Sequence, residues 1–302
     1  MHCRFEDRLA GRALRLDGLL ARIEARAAAE VGPALAAIDA ARRQGHWVAL
    51  LLDYELGEWL LPEATRPAPA GPWTPPRDDG AARLTALVFE RKIDEAPWDA
   101  PAADSAPAAL SIPAPRMLEA DYVRQVDAIR GLIADGELYQ VNYTQPLDLQ
   151  YQGDAATLYR RIAARNPVAH AAFIQDGART VLSFSPELFV ARRGPQLTTR
   201  PMKGTAPRHP DPAEDARLGQ ALLASDKNRA ENLMIVDLLR NDLGRLAEPG
   251  SVKVDALFSL ERYPTVWTMT STVSAQAPGA TLEDVLRCLL YTSPSPRDKR
   301  QS

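Results

Sequence analysis

Cysteine is scarce in this sequence, with only Cys3 and Cys288 among 302 residues. Two thiols so far apart provide neither a disulfide framework nor a metal-ligand spacing, a pattern typical of proteins in a reducing compartment. The four histidines likewise show no spacing that indicates a zinc site or a catalytic triad. The sequence therefore gives no support to a disulfide-rich secreted protein or to a zinc enzyme.

Long apolar segments and a strong charge imbalance are also missing. No apolar run reaches the roughly 20 residues that span a bilayer. The N-terminal segment carries Arg, Glu and Asp throughout, unlike a signal peptide. The formal net charge of -3 gives no reason to expect a polyanionic partner. These absences predict a cytoplasmic protein that binds neither a membrane nor nucleic acid.

The residues that are present have an ordinary globular composition, with 46% hydrophobic and 25% charged residues. Apolar periodicity predicts helices over residues 14–43, 119–133, 158–164 and 228–243, and another that begins at Thr281. Short or alternating apolar runs predict strands over residues 47–52, 83–90, 138–149, 171–175, 180–184, 188–192, 251–254 and 268–275. Pro-rich stretches at residues 62–76 and 96–115 are interpreted as loops. Because strands and helices do not alternate strictly, we predict an α+β fold with antiparallel sheets.

One lysine is a candidate for chemistry. Lys203 lies in the string RPMKGT at residues 200–205, between a proline that restricts the backbone and a glycine. A lysine becomes a nucleophile or a base only where desolvation or a neighbouring charge lowers its pKa. Taken alone, these residues leave Lys203 as either such a group or a solvated lysine in a turn.

Two carboxylates are further candidates. Glu187 follows a Ser-Pro turn at the end of an apolar run, where it is either a general acid or a surface carboxylate. Glu231 lies in the first turns of the helix predicted over residues 228–243, where the helix dipole alone favours an acidic residue. A single carboxylate is also compatible with Mg²⁺, which completes its coordination with water and substrate oxygens.

Several strings occur in a characteristic order along the chain. They are GELYQVN at residues 136–142, NP at 166–167, LSFSPE at 182–187, RPMKGT at 200–205, KNRAENLMIVDLLRND at 227–242, GSVKV at 250–254, ERYPTV at 261–266 and MTSTV at 269–273. In this order they resemble the chorismate-utilising enzymes, a family that includes anthranilate, aminodeoxychorismate, isochorismate and salicylate synthases. The resemblance is strong over residues 114–290 and looser over residues 45–90.

The resemblance implies a fold and a domain organisation. The fold is that of anthranilate synthase component I, with large antiparallel β-sheets packed against outer helices. Residues 1–113 are then an N-terminal region of helices, strands and Pro-rich linkers, and residues 114–290 are an incomplete chorismate-binding catalytic domain. Residues 291–302 are rich in Ser, Pro and basic residues, and we predict that they are a non-native or disordered tail.

The resemblance also implies roles for the candidate residues. Anthranilate synthases carry Ala where this chain has Lys203, whereas aminodeoxychorismate synthases carry Lys. Lys203 would attack the chorismate ring as a covalent nucleophile, and ammonia from a glutamine amidotransferase partner would displace it. Glu187 would be the general acid for the departing 4-hydroxyl, and Glu231 would bind the Mg²⁺ that holds a substrate carboxylate. Gly204 and Thr205 would contact the substrate.

Two departures from the family pattern lead to further expectations. Relatives carry a SITGAPK-like segment, a second Mg²⁺-binding Glu and a carboxylate-binding Arg beyond the position of Leu290, and this chain has none of them there. We therefore expect a C-terminally incomplete, inactive site with uncovered apolar faces. Trp267 stands where many relatives have His, so no hydrogen-bonding role is carried over to it. The alternatives are an anthranilate synthase component I, which Lys203 disfavours, and a non-catalytic paralogue that binds an amidotransferase.

Overall fold

The computed structural model describes residues 2–61, 80–102, 109–138, 140–177 and 179–290. Its strands are β1 (His2–Asp7), β2 (Arg12–Ala25), β3 (Trp47–Leu52), β4 (Leu84–Glu95), β5 (Ala109–Leu110), β6 (Ala114–Pro115), β7 (Leu147–Asp148), β8 (Tyr151–Gln152), β9 (His170–Gln175), β10 (Thr180–Ser185), β11 (Leu188–Arg193), β12 (Gln196–Arg200), β13 (Met202–Pro207), β14 (Lys253–Arg262) and β15 (Val266–Gln276). Its helices are α1 (Ala28–Arg43), α2 (Gly57–Leu60), α3 (Glu119–Ala134), α4 (Ala155–Arg165), α5 (Pro212–Ala224), α6 (Asp226–Leu246) and α7 (Leu282–Leu290).

Two antiparallel sheets organise the fold. The first has the strand order β10-β9-β1-β2-β4-β3, and the second has the order β11-β12-β15-β13, with β14 also paired to β15. Every strand pair among the described residues is antiparallel, which confirms the predicted α+β class. The boundary predicted between residues 113 and 114 does not separate the two sheets. Strands β1 to β4 of the first sheet precede it, and strands β9 and β10 of the same sheet follow it.

Helices cover the sheets, and two of the four apolar cores among the described residues meet at one helix. Helix α1 packs on the first sheet through residues such as Leu35, and α6 packs on β15 through Val236. Helix α7 belongs to both cores, because Leu286 joins the α1 cluster and Val285 joins the α6 cluster. The adjacent positions on α7 therefore connect the two sheets by apolar packing.

The first half of the helix predicted over residues 14–43 is wrong, because this stretch belongs to β2 and only α1 is helical. Leu14 and Leu16 alternate with charged residues, which is a strand pattern. Gly18 then adopts a φ of +71°, and the register of β2 against β4 shifts just beyond it. The shift breaks the alternation, so the Ala- and Leu-rich composition was misread as helical.

The strand predicted over residues 138–149 is also wrong. Within the described part of this segment only β7 is a strand, and it pairs with the two-residue β6; Tyr139 lies outside the described residues. An alternating pattern forms a strand only where a partner edge is available, and the described residues provide none for the remainder. The helix predicted just before this segment is confirmed as α3.

Apolar side chains remain exposed around α3, which has no buried residue. The exposed large hydrophobic residues of this region are Leu110, Ile112, Leu118, Val123, Leu132, Ile133, Val141, Leu147, Leu149 and Tyr151. Nothing among the described residues covers them. The expectation of uncovered apolar faces therefore agrees with the exposure of this segment.

The remaining predicted helices and strands are confirmed, although the strand predicted over residues 251–254 continues eight residues further, as β14, to Arg262. The elements that were not predicted are β1, β5, β6, β8, β12, β13, α2 and α5. Strands β5 and β6 fall in the Pro-rich stretch at residues 96–115, which the sequence analysis interpreted as a loop. The Pro-rich stretch at residues 62–76 and the tail at 291–302 lie outside the described residues. Within the described ranges, no helix combines the length and apolarity needed to cross a membrane.

Candidate functional site

The candidate lysine and the glycine after it lie at a bulge in β13. The register between β13 and β15 shifts between Met202 and Thr205, which places Lys203 and Gly204 in the bulged stretch. Gly204 adopts a φ of +88°, a conformation that favours glycine. A Cβ atom there would lie 3.1 Å from two side-chain atoms of Asn228. Gly204 therefore permits the close approach of β13 and α6.

Lys203 is half-buried at this bulge. Its side chain forms no ion pair or hydrogen bond with another described residue, so the amine makes no structural contact within that part of the chain. Thr205 is exposed two residues further along β13 and lies opposite Thr268 in the register with β15.

Glu187 contacts the backbone of the lysine strand. Its Oε1 accepts a hydrogen bond from the Met202 N–H at 3.2 Å, and the Ser185 Oγ accepts one from the Glu187 N–H at 3.2 Å. The fold thus brings the predicted acid to the residue just before Lys203. Glu187 itself is exposed among the described residues.

Glu231 lies on α6, three positions after Asn228, and therefore on the helix face that meets β13. Its side chain is 33% exposed, and its Oε1 lies 3.9 Å from the Lys227 Nζ. No group of three or more His, Cys, Asp or Glu side chains among the described residues is arranged to hold a metal ion. Glu231 is thus a single partly exposed carboxylate on this face, and a Mg²⁺ ion commonly takes only one or two protein carboxylates, with water and substrate oxygens completing its coordination.

A buried network that the sequence did not reveal fixes α6 against β15. Asn232 is 0% exposed; its Oδ1 accepts from the Ser271 Oγ at 2.6 Å and its Nδ2 donates to the Met269 carbonyl at 3.3 Å. The Ser271 Oγ also accepts from the N–H of Phe258, a non-glycine residue with a φ of +56°. A satisfied buried network constrains geometry strongly, so it fixes the rotation of α6 and the placement of Glu231.

Trp267 joins α5 to β15. Its Nε1 donates to the Asp215 carbonyl at 3.0 Å and to the Asp215 Oδ1 at 3.1 Å. The Arg208 guanidinium binds both carboxylate oxygens of Asp215 at 2.7 Å and lies 4.9 Å from the Trp267 ring centre. The bidentate bond from Arg208, together with the further hydrogen bonds, holds the pKa of Asp215 well below its usual range. The indole N–H of Trp267 is therefore engaged in a structural contact.

Comparison with known proteins defines the class. The chain belongs to the chorismate binding enzyme family, whose model matches residues 15–293. An aminodeoxychorismate synthase component 1 from Klebsiella aerogenes is 46% identical over 157 residues, which cover 52% of this chain and 35% of that protein. An anthranilate synthase component 1 from Streptomyces coelicolor is 41% identical over 221 residues, which cover 70% of this chain and 42% of that protein. The matched stretches span less than half the length of these relatives.

Solved structures of relatives share the fold. Anthranilate synthase component I from Streptococcus pneumoniae superposes with a TM-score of 0.67 at 23% identity, over 85% of this chain and 64% of that one. An isochorismate synthase, DhbC, from Bacillus anthracis superposes with a TM-score of 0.68 at 18% identity, over 97% of this chain and 72% of that one. These similarities confirm the predicted anthranilate synthase component I-like fold.

Proposed function

We propose that this chain is the chorismate-binding part of an aminodeoxychorismate synthase component I. Such an enzyme converts chorismate and ammonia into 4-amino-4-deoxychorismate, a precursor of 4-aminobenzoate and folate. The observation that carries the proposal is the half-buried Lys203 at the β13 bulge, whose side chain has no partner among the described residues, in a chain of the chorismate binding enzyme family. The name of the relative from Klebsiella aerogenes supports the same choice.

The proposed chemistry is two successive displacements. The Lys203 amine attacks the chorismate ring, and a C–N bond forms as the bond to the 4-hydroxyl breaks. Glu187 donates a proton to that hydroxyl, so the leaving group is water. Ammonia then attacks the carbon that lost the hydroxyl and displaces Lys203 as a free amine, and a proton from the new ammonium group returns to the Glu187 carboxylate. Chorismate and ammonia are thereby converted into aminodeoxychorismate and water.

The other candidate residues serve binding in this proposal. Glu231 would provide one carboxylate ligand to Mg²⁺, and the bound ion would neutralise a substrate carboxylate that is otherwise costly to bury. Gly204 and Thr205 would contact the substrate beside the nucleophile. Ammonia would come from a glutamine amidotransferase subunit, and the protein would act in the cytoplasm.

The test is turnover by the full-length gene product with chorismate, Mg²⁺ and ammonium, followed by chromatography of the products. The Lys203→Ala variant should lose aminodeoxychorismate formation by at least about 100-fold, because a covalent step has no substitute. Lys253→Ala removes an exposed lysine on β14 and should retain the wild-type rate. Undiminished aminodeoxychorismate formation by Lys203→Ala would contradict the proposed role.

A second candidate function, anthranilate synthesis, is favoured by one observation. The anthranilate synthase component 1 from Streptomyces coelicolor aligns with 70% of this chain, a larger share than the 52% aligned with the Klebsiella enzyme. The same assay separates the two functions, because anthranilate and aminodeoxychorismate differ in retention and in fluorescence. Anthranilate as the main product of the wild type would establish this alternative.

A further inference from the structure

Glu261, on β14, is the centre of a polar network beside the lysine strand. Its Oε1 accepts hydrogen bonds from the Arg200 guanidinium and from the Thr270 Oγ1, the latter at 3.0 Å. Its Oε2 lies 3.2 Å from the Tyr263 hydroxyl, which is also 3.4 Å from the Pro186 carbonyl. Burial and the nearby Glu261 charge raise the pKa of Tyr263 to about 12, so this hydroxyl keeps its proton and can donate.

The network reaches both segments that carry the candidate catalytic groups. Arg200 lies three residues before Lys203, and the Pro201 carbonyl between them accepts a hydrogen bond from the Ser271 N–H at 3.1 Å. Pro186, at the other end of the network, directly precedes Glu187. The Glu187 carboxylate in turn accepts from the Met202 N–H at 3.2 Å. The two segments are thus connected twice, once through Glu261 and once through Glu187.

We propose that Glu261 and Arg200 are positioning residues that hold Lys203 and Glu187 in a fixed relative placement. This inference rests on the proposed function for its catalytic consequence, but the structural connection does not depend on it. Thr270 and Tyr263 fix the Glu261 carboxylate, and the carboxylate then fixes the planar Arg200 guanidinium. Arginine suits this task because its rigid fork loses little freedom for each hydrogen bond formed.

The arrangement matters because β13 is bulged at the nucleophile. A bulge interrupts the ladder hydrogen bonds that would otherwise fix the strand, so residues 202–204 depend more on contacts at their flanks. The Glu261–Arg200 pair supplies one such contact just before the bulge. A misplacement of about 1 Å at a reacting group can reduce the rate about 100-fold.

The test compares Glu261→Gln with the wild type of the full-length gene product by hydrogen–deuterium exchange and by steady-state kinetics. The single amide oxygen of glutamine can still accept from Thr270, whereas its NH2 group would face the Tyr263 hydroxyl, and the substitution removes the charge that Arg200 contacts. We expect exchange of the Met202 and Ser271 amides to become about 3- to 10-fold faster, because both amides fix the bulged segment. The kcat should fall about 10- to 100-fold, while the KM for chorismate stays within about twofold.

Glu214→Gln is the matched control, because Glu214 pairs with Arg217 at 2.6 Å on the exposed surface of α5. This variant should change neither the two amides nor kcat. The double variant Arg200→Gln with Glu261→Gln should be no slower than the slower single variant, since both residues act through one contact.

The outcomes separate this inference from the proposed function. Unchanged exchange of both amides in Glu261→Gln would overturn the positioning role, whatever the turnover. Faster exchange without a fall in kcat, in an enzyme that depends on Lys203, would also overturn it. If the wild type forms no aminodeoxychorismate, the proposed function fails, and the exchange rates alone still decide whether Glu261 fixes the bulge.

Discussion

Replacing Gly204 by Ala is expected to disrupt the contact between β13 and α6. Gly204 combines a φ of +88° with a position whose Cβ would lie 3.1 Å from the Asn228 Cβ and Oδ1. Gly250 is a matched control, because its φ is +76° and a Cβ there would meet no atom within 4 Å. The two variants share the backbone penalty and differ in the crowding against α6.

The magnitude follows from these two terms. A non-glycine residue in the left-handed region costs about 1–2 kcal/mol, and this term should appear in both Gly204→Ala and Gly250→Ala. Overpacking of a close contact adds about 1–3 kcal/mol, and this term applies only to Gly204→Ala. We therefore expect a loss in the free energy of unfolding of roughly 2–5 kcal/mol for Gly204→Ala and about 1–2 kcal/mol for Gly250→Ala.

Urea unfolding followed by circular dichroism measures both losses. Adding Asn228→Ala to Gly204→Ala should recover part of the crowding term, because the Asn228 Oδ1 and Cγ are removed while its Cβ remains. Equal losses for the two glycine variants, within about 0.5 kcal/mol, would refute the reasoning. A loss for Gly204→Ala that is as large in the Asn228→Ala background as in the wild type would refute it as well.

Two carboxyl groups predict opposite dependences of stability on pH. Burial raises the pKa of Asp242 to about 6. Between about pH 4 and 6 the folded state therefore binds more protons than the unfolded state, and the contribution of Asp242 lowers the free energy of unfolding as the pH rises. Asp242→Asn should therefore gain stability relative to the wild type between pH 4.5 and 7.5 in urea titrations, by up to about 3 kcal/mol; a difference independent of pH would contradict this. Arg208 lowers the pKa of Asp215. The ionised Asp215 therefore contributes its full stabilisation above its unfolded pKa of about 4, and this contribution is lost as the pH falls below that value. Asp215→Asn should lower the thermal midpoint at pH 7, and its deficit should shrink below about pH 4; an unchanged midpoint at pH 7 would count against the contact with Arg208.

The sequence predicted elements whose pattern is local. Helices α3 and α6 follow from apolar periodicity, and the short strands β9 to β11 follow from apolar runs between turn residues. Strand β2 was missed because Gly18 and the bulge after it interrupt the alternation. The strand expected over residues 138–149 failed for the opposite reason, since a good pattern found almost no partner edge among the described residues.

The candidate site was predicted residue by residue, but its connections were not. The fold brings Glu187 to the Met202 N–H and the glycine after Lys203 to α6. The Arg200–Glu261 pair spans 61 positions of sequence, and no spacing rule connects residues so far apart. Such contacts depend on strand order and register, which a single sequence does not specify.

The central step of the proposed mechanism is a covalent bond between Lys203 and the substrate. The most direct measurement is peptide mass spectrometry after incubation of the full-length gene product with chorismate and Mg²⁺ in the absence of ammonium. The proposed mechanism predicts that the peptide containing Lys203 carries an adduct with the mass of chorismate less one water. Added ammonium should then release this adduct as aminodeoxychorismate. Product formation on addition of ammonium, with no adduct beforehand or with the adduct on another residue, would contradict it.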